Sequence, residues 1–276
     1  MKSLKKFSSK KHPSEMSSFV AKKSLGQNFL IDKRITAKII QACQLSPDET
    51  VLEIGPGQGV LTKLIALQVK KLIAIETDKR LYETLKKEFA ESNVEVIHAD
   101  FLKFDIASLP PKIKVVGNLP YYISTPIIIK ILENYKQFSK LFITVQWEFG
   151  QRLVAEVGSK DYGSLRCLAR QFSDVNVLFK IHPGAFRPIP KVDSCFVQFD
   201  LLSEHRVAGN HYEFLFKMIR QAFTQRRKTL LNALGPLMPK EKLAAILKAL
   251  AIDEKKRPEN LSLEDYGRIA ELWAKS

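Results

Sequence analysis

Four short stretches of this chain carry side chains whose types and spacing suit a common chemistry. Glu53-Ile54-Gly55-Pro56-Gly57-Gln58-Gly59 sets three glycines at alternate positions behind a carboxylate. Glycine lets a backbone approach a ligand where a Cβ would clash, and a helix N-terminus beyond such a turn favours electronegative groups. Glu76 lies 21 residues after Gly55, where a nucleotide-binding fold places an acid on ribose hydroxyls. Asp100 closes a further apolar run and can accept a hydrogen bond from an adenine amino group. The glycines read G-x-G-x-G, whereas pyrophosphate binding uses G-x-G-x-x-G. That difference favours S-adenosylmethionine, which has no phosphates to cradle, over a nicotinamide dinucleotide. A structural turn beside two solvated acids is the plainer alternative, and the coincidence of three features at strand ends weighs against it.

The fourth stretch is Gly117-Asn118-Leu119-Pro120-Tyr121-Tyr122. The exocyclic amine of adenine is a poor nucleophile, because its lone pair is delocalised into the ring. A site that methylates it must accept both amine hydrogens and hold the nitrogen in line with the methyl group. The Asn118 carbonyl and a neighbouring backbone carbonyl, such as that of Leu119, suit this role. Pro120 stiffens the turn. Tyr121 offers a flat face for a base, worth about 1–3 kcal/mol. Positioning of this kind supplies much of a rate enhancement. Alone, Asn-Leu-Pro-Tyr also suits a surface turn. Roughly sixty residues downstream of the glycines, the chemical reading is favoured. No Pro-Cys pair stands near it, so covalent attack on a pyrimidine ring is unsupported.

The elements that must position these residues alternate. Helical spacing covers 32–44, 60–69, 79–90 and 126–133; strand-like runs cover 51–54, 72–76, 94–97, 112–116 and 141–145. This rhythm predicts a parallel sheet with helices on both faces. Two further strands, 175–181 and 195–202, follow one another around a proline-rich connection at 183–190 and should pair antiparallel. The expected fold class is α/β: a Rossmann-like methyltransferase sheet of seven strands whose last strand is antiparallel, with a small α-helical C-terminal domain. Helical spacing at 212–223, 240–251 and 263–274, punctuated at Gly209, Gly235-Pro236 and Pro258, carries that second part. The expected division is a basic arm over 1–21, a catalytic domain over 22–203 and a helical domain over 204–276.

A formal net charge of +15 attracts polyanions and suggests nucleic acid as partner. Residues 1–23 hold seven lysines against one glutamate, without the apolar centre of a secretory signal. No apolar run reaches the roughly 20 residues of a membrane helix. Cys43, Cys167 and Cys195 lie far apart and share no metal-ligand spacing with the histidines. A cytoplasmic protein without a metal, acting as a monomer, is expected.

With these blocks in order, the sequence resembles the bacterial small-subunit ribosomal RNA adenine dimethyltransferases. Besides the motifs above, the resemblance rests on Ser24-Leu25-Gly26-Gln27-Asn28-Phe29-Leu30, Ala99-Asp100, Phe186-Arg187-Pro188-Ile189-Pro190-Lys191-Val192-Asp193-Ser194 and Phe223-Thr224-Gln225-Arg226-Arg227-Lys228-Thr229. It covers nearly the whole chain from about Lys22. It implies N6,N6-dimethylation of two adjacent adenosines in the 3′-terminal hairpin of small-subunit rRNA, and a role in ribosome biogenesis. It implies an S-adenosylmethionine site of Asn28, Leu30, Gly55, Glu76, Asp100 and Asn118, with Asn118 and Tyr121 catalytic. Phe186 would sandwich the target adenine against Tyr121. Arg226, Arg227 and Lys228 would contact RNA, with Lys22, Lys23 and Arg187 as weaker candidates. Trp147 departs from the family, which usually has a basic residue there. The rivals are a large-subunit rRNA adenine methyltransferase of the resistance type and a pre-ribosome assembly factor that binds without chemistry. A DNA adenine methyltransferase or a dehydrogenase fits less well.

Overall fold

The computed structural model describes residues 26–207 and 212–275. The basic arm, Lys22, Lys23, Ser24, Leu25 and Gly209 lie outside the described residues. In chain order the elements are β1 (Phe29–Leu30), α1 (Lys33–Cys43), β2 (Thr50–Ile54), α2 (Val60–Ala66), β3 (Lys71–Glu76), α3 (Lys79–Glu88), β4 (Val94–His98), β5 (Ile113–Asn118), α4 (Ser124–Glu133) and β6 (Phe138–Gln146). Then come α5 (Trp147–Val154), α6 (Ser164–Phe172), β7 (Ser173–Ile181), β8 (Phe186–Arg187), β9 (Ser194–Leu201), α7 (Tyr212–Thr224), α8 (Leu230–Leu234), α9 (Lys240–Ala249) and α10 (Leu263–Lys275).

Seven strands form one sheet in the order β4-β3-β2-β5-β6-β9-β7. Neighbours from β4 to β6 are parallel. The last strand, β9, runs antiparallel to both β6 and β7, as the sequence predicts. Strand order reverses at β2, which has β3 on one side and β5 on the other. In open α/β sheets that reversal opens a crevice beyond the strand C-termini.

Burial explains why these segments become central strands. Val51, Leu52, Glu53 and Ile54 are all buried, as required of a strand covered on both faces. Successive side chains enter different cores. Leu52, Ile54, Ile73, Ile75 and Val115 join the cluster containing α4 and α6. Val51, Leu72, Ala74 and Val116 join the cluster beneath α1, α2 and α3. The first cluster continues through Leu215, Met218, Leu243 and Ile269 of the C-terminal helices, so those helices dock on apolar packing with one sheet face.

Local signals set the helix starts. The Asp32 carboxylate accepts from Arg34 N at 2.8 Å and Ile35 N at 3.1 Å, capping α1. Asp78 accepts from Arg80 N at 3.1 Å and caps α3. The sequence pattern does not predict helices α5 and α6; neither carries a side-chain cap, so the usual start signal is missing. Strands β1 and β8 are two residues each, too short to show a period.

Helix α5 packs very closely on β9. A Cβ built on Gly150 would sit 2.3 Å from Cys195 Sγ. Gly150→Ala is therefore expected to force β9 outward and cost about 1–3 kcal/mol, as overpacking does. A lowered melting temperature in a thermal denaturation series would show it, and an unchanged one would contradict the packing argument.

Candidate active site

The strand reversal places two chain turns side by side. Ile54 of β2 pairs with Gly117 of β5, so Gly55 and Asn118 leave the sheet next to each other. Glu76 ends β3, and Asp100 stands two residues beyond β4. Asn28, Leu30, Gly55, Glu76, Asp100, Asn118 and Tyr121 all line one cavity at these strand ends. Phe186, Arg226, Arg227 and Lys228 do not line it.

The turn after β2 needs its glycines for conformation. Gly55, Gly57 and Gly59 have φ of 67°, 58° and 75°, the left-handed region that L side chains avoid. A Cβ on Gly57 would meet the Phe29 ring at 3.2 Å, and one on Gly59 would meet Leu85 Cδ2 at 2.8 Å. Gly55 has nothing within 4 Å of that position; it borders the open cavity.

Three acids line the cavity, and no Lys, Arg or His does so among the described residues. The chain's net charge of +15 is thus carried outside this lining. Glu76 is 4 % exposed; its carboxylate accepts from Gly57 N at 3.0 Å and from Asp78 N at 2.8 Å. Burial raises its pKa, and those amides pull the other way. Asp100 Oδ1 accepts from Leu102 N at 2.9 Å, which shapes the turn beyond β4. Glu53 is 1 % exposed. Burial pushes its pKa up to about 8; the Thr62 hydroxyl opposes the shift and the Glu76 charge adds to it. Its Oε2 is buried without a hydrogen-bond partner.

At the other turn, Asn118 Nδ2 donates to the Asn28 carbonyl at 3.0 Å, and Asn28 Nδ2 donates to the Gly26 carbonyl at 3.3 Å. With its nitrogen so engaged, the Asn118 amide presents Oδ1 as an acceptor. The Pro120 carbonyl accepts from Ile123 N and Ser124 Oγ, both at 3.1 Å, joining the turn directly to α4. Tyr121 is half-buried, and its hydroxyl shares a 2.6 Å hydrogen bond with Ser194 Oγ. Burial raises the phenol pKa, with the Ser194 bond opposing. The ring is thus a pinned neutral phenol that suits base contact.

Phe186 lies apart from the cavity lining. It pairs with Leu30 in the small β1–β8 sheet and is 1 % exposed in the core beneath α1. Gln225, Arg226, Arg227 and Lys228 occupy the turn between α7 and α8. Arg227 and Lys228 are exposed, while the Arg226 guanidinium donates to the Lys160 carbonyl at 2.8 Å. Arg187 is exposed. Trp147 packs partly on the larger core, with Lys180 Nζ 5.1 Å from its ring centre.

Sequence reasoning passes over Gln27, Phe101 and Ser194 as site residues. Gln27 Nε2 lies 3.4 Å from Asp78 Oδ2 and tethers the N-terminal segment over the cavity. Phe101 is recognisable only as the apolar neighbour of Asp100. Ser194 shows no signal beyond its place at the end of the proline-rich block.

The ribosomal RNA adenine dimethylase family model matches residues 18–275. The chain belongs to the ribosomal RNA adenine dimethylase family. A ribosomal RNA small subunit methyltransferase A from Alkaliphilus oremlandii is 41% identical over 267 residues, covering 93% of each chain. The structure resembles a dimethyladenosine transferase from Plasmodium falciparum, with a TM-score of 0.77 and 27% identity over 90% of this chain and 98% of that one. It also resembles the 23S rRNA methyltransferase ErmE, with a TM-score of 0.68 and 27% identity over 88% and 98%. The Rossmann-like methyltransferase architecture expected from the sequence is thereby established, as is a methyltransferase activity of the rRNA adenine dimethylase class.

The raised Glu53 pKa has a consequence for stability. The folded carboxyl holds its proton up to about pH 8, whereas the unfolded one loses it near 4.5. Between those values the folded state binds the extra proton, so stability falls as pH rises. Glu53→Gln should flatten the decline in melting temperature between pH 5 and 8. Parallel pH profiles for the two proteins would contradict the assignment.

Proposed function

We propose that this enzyme uses S-adenosylmethionine to dimethylate the N6 amines of two adjacent adenosines in the 3′-terminal hairpin of small-subunit rRNA. The Asn118–Asn28 hydrogen bond carries the reading. It commits the amide nitrogen and leaves Oδ1 to accept an amine hydrogen.

The residues present fit the cofactor. A cavity lined by acids, with no Lys, Arg or His in its lining among the described residues, suits a positively charged sulfonium ligand and opposes a pyrophosphate. Glu76 would take the ribose hydroxyls, Asp100 the adenine amino group, and the Gly55 turn with Asn28 and Leu30 the amino-acid end. Bound there, S-adenosylmethionine supplies an electrophilic methyl group. Asn118 Oδ1 and a backbone carbonyl of the turn, that of Leu119, would accept the two amine hydrogens and draw the nitrogen towards tetrahedral geometry. Tyr121, pinned by Ser194, would stack one face of the base. As the nitrogen gains its methyl group it becomes positive, and its proton can leave to water. No strong base is needed.

Small-subunit rRNA is favoured over large-subunit rRNA because the relative at 41% identity is a small-subunit enzyme, whereas the likeness to ErmE is at 27%. The helical part from residue 204, with Arg226, Arg227 and Lys228 at the α7–α8 turn, is read as an RNA contact. A cytoplasmic location and action as a single chain complete the proposal. No described helix is long and apolar enough to cross a membrane.

Labelled S-adenosylmethionine offered to purified unmodified small subunits, large subunits and duplex DNA tests this reading. Dimethyladenosine only in the small subunit is expected, and product in the large subunit alone would overturn it. In the same assay Asn118→Ala should lower turnover by about a hundredfold or more, in line with loss of one group that stabilises developing charge. Its rRNA affinity should persist; retained turnover would remove Asn118 from the amine-binding role. Reversing charge with Arg226→Glu and Arg227→Glu should weaken rRNA binding. It should also flatten the slope of log affinity against log salt by roughly 0.7–0.9 for each phosphate that is no longer neutralised. Affinity for the free cofactor should stay intact, and an unchanged salt slope would remove this turn from the RNA surface.

A further inference from the structure

Lys130 projects from the middle of α4 and has no assigned role. Its ammonium donates to three backbone carbonyls: Phe101 and Leu102, each at 2.9 Å, and Phe104 at 2.6 Å. A lysine has three N–H donors, so all three are spent on one turn. That turn begins at Asp100, whose carboxylate accepts from Leu102 N at 2.9 Å, and it closes through Lys103 N to Asp100 O at 2.9 Å. The ammonium also lies 5.5 Å from the centre of the Phe101 ring. Asp100 and Phe101 both line the cavity, and so does Ile127, less than one helical turn before Lys130. Surface lysines are normally hydrated and mobile. This one is partly buried and serves as a fixed cation for a ring of carbonyls. Burial lowers its pKa, while the charges of Asp100 and Asp105 oppose that shift.

The same helix is continuous with the other half of the site. It starts at Ser124, whose hydroxyl donates to the Pro120 carbonyl at 3.1 Å, immediately after the Asn118–Tyr121 turn. One rigid element therefore carries the target-base turn at its head and grips the Asp100 turn from its middle.

We propose that Lys130 is a positioning residue: it clamps the turn at residues 100–104 so that the Asp100 carboxylate meets the amino group of the cofactor's adenine. It also holds that turn at a fixed distance from Asn118. This rests on the S-adenosylmethionine reading above. Without the clamp, three carbonyls lose their donor and the turn relaxes, so the carboxylate is no longer aimed. The loss should appear in recognition of the adenine amino group rather than in RNA affinity.

The test measures binding calorimetrically, without turnover. The ligands are S-adenosylhomocysteine and its analogue with hydrogen in place of the 6-amino group. Wild type should prefer the amino form by about tenfold, the scale of one hydrogen bond to a charged group. Lys130→Met should bring the ratio close to one, as should Asp100→Asn. The double variant should lose no more than either single change, because the two act as one unit. For the Lys130 variant the KM for S-adenosylmethionine should rise. If the Met variant does not fold, Lys130→Gln takes its place. A wild-type ratio in a folded Lys130 variant, or additive losses in the double variant, would overturn the proposal. Wild type that binds neither ligand would instead overturn the cofactor reading, and the proposal with it.

Discussion

The register between β2 and β5 is the constraint on which the site depends. With Ile54 opposite Gly117, the two chains leave the sheet at the same level. The glycine turn then lies beside the Asn118 turn. A slip by one residue would turn every side chain of β2 to the other face and send Leu52 and Val51 into each other's cores. The apolar layers on both faces thus hold the two turns side by side. Each face needs its own helices, and the C-terminal helices extend only one of the two layers.

Charge is arranged on two scales. The whole chain is strongly cationic, which draws in a polyanion over long distances. The cavity at the strand ends is lined by Glu53, Glu76 and Asp100 without a cation among the described residues. A phosphate backbone is thus attracted to the surface and disfavoured inside, whereas a sulfonium is favoured inside. Burial sets the acids apart from one another: it holds Glu53 protonated and leaves its Oε2 unsatisfied. Tight backbone bonds hold Glu76 at the mouth of the same turn.

Much of this was legible from residue types. The seven strands and the antiparallel last strand follow from periodicity. The glycine turn, Glu76, Asp100 and Asn118 follow from their positions at strand ends. What was hidden depends on contacts between distant segments. The Asn118–Asn28 bond spans 90 residues and the Tyr121–Ser194 bond spans 73; no local pattern encodes either. Phe186 has the right residue type and motif for base stacking, yet pairing with Leu30 carries it into the core. Asn28 and Leu30 came only from resemblance, since a two-residue strand leaves no periodic trace. Trp147 packs partly on the core beneath a lysine from β7.

The Tyr121–Ser194 bond also sets an order in time. Every group assigned to the cofactor lies before residue 119, whereas the hydroxyl that pins the target-base tyrosine belongs to the last strand of the sheet. That strand inserts between β6 and β7, so both must exist before it can enter. The partner of β1, strand β8, is likewise made late. On the proposed roles, a chain emerging from the ribosome therefore carries every cofactor residue before the strand that fixes the Tyr121 ring has been made. The Tyr121 ring is pinned only once the sheet is complete.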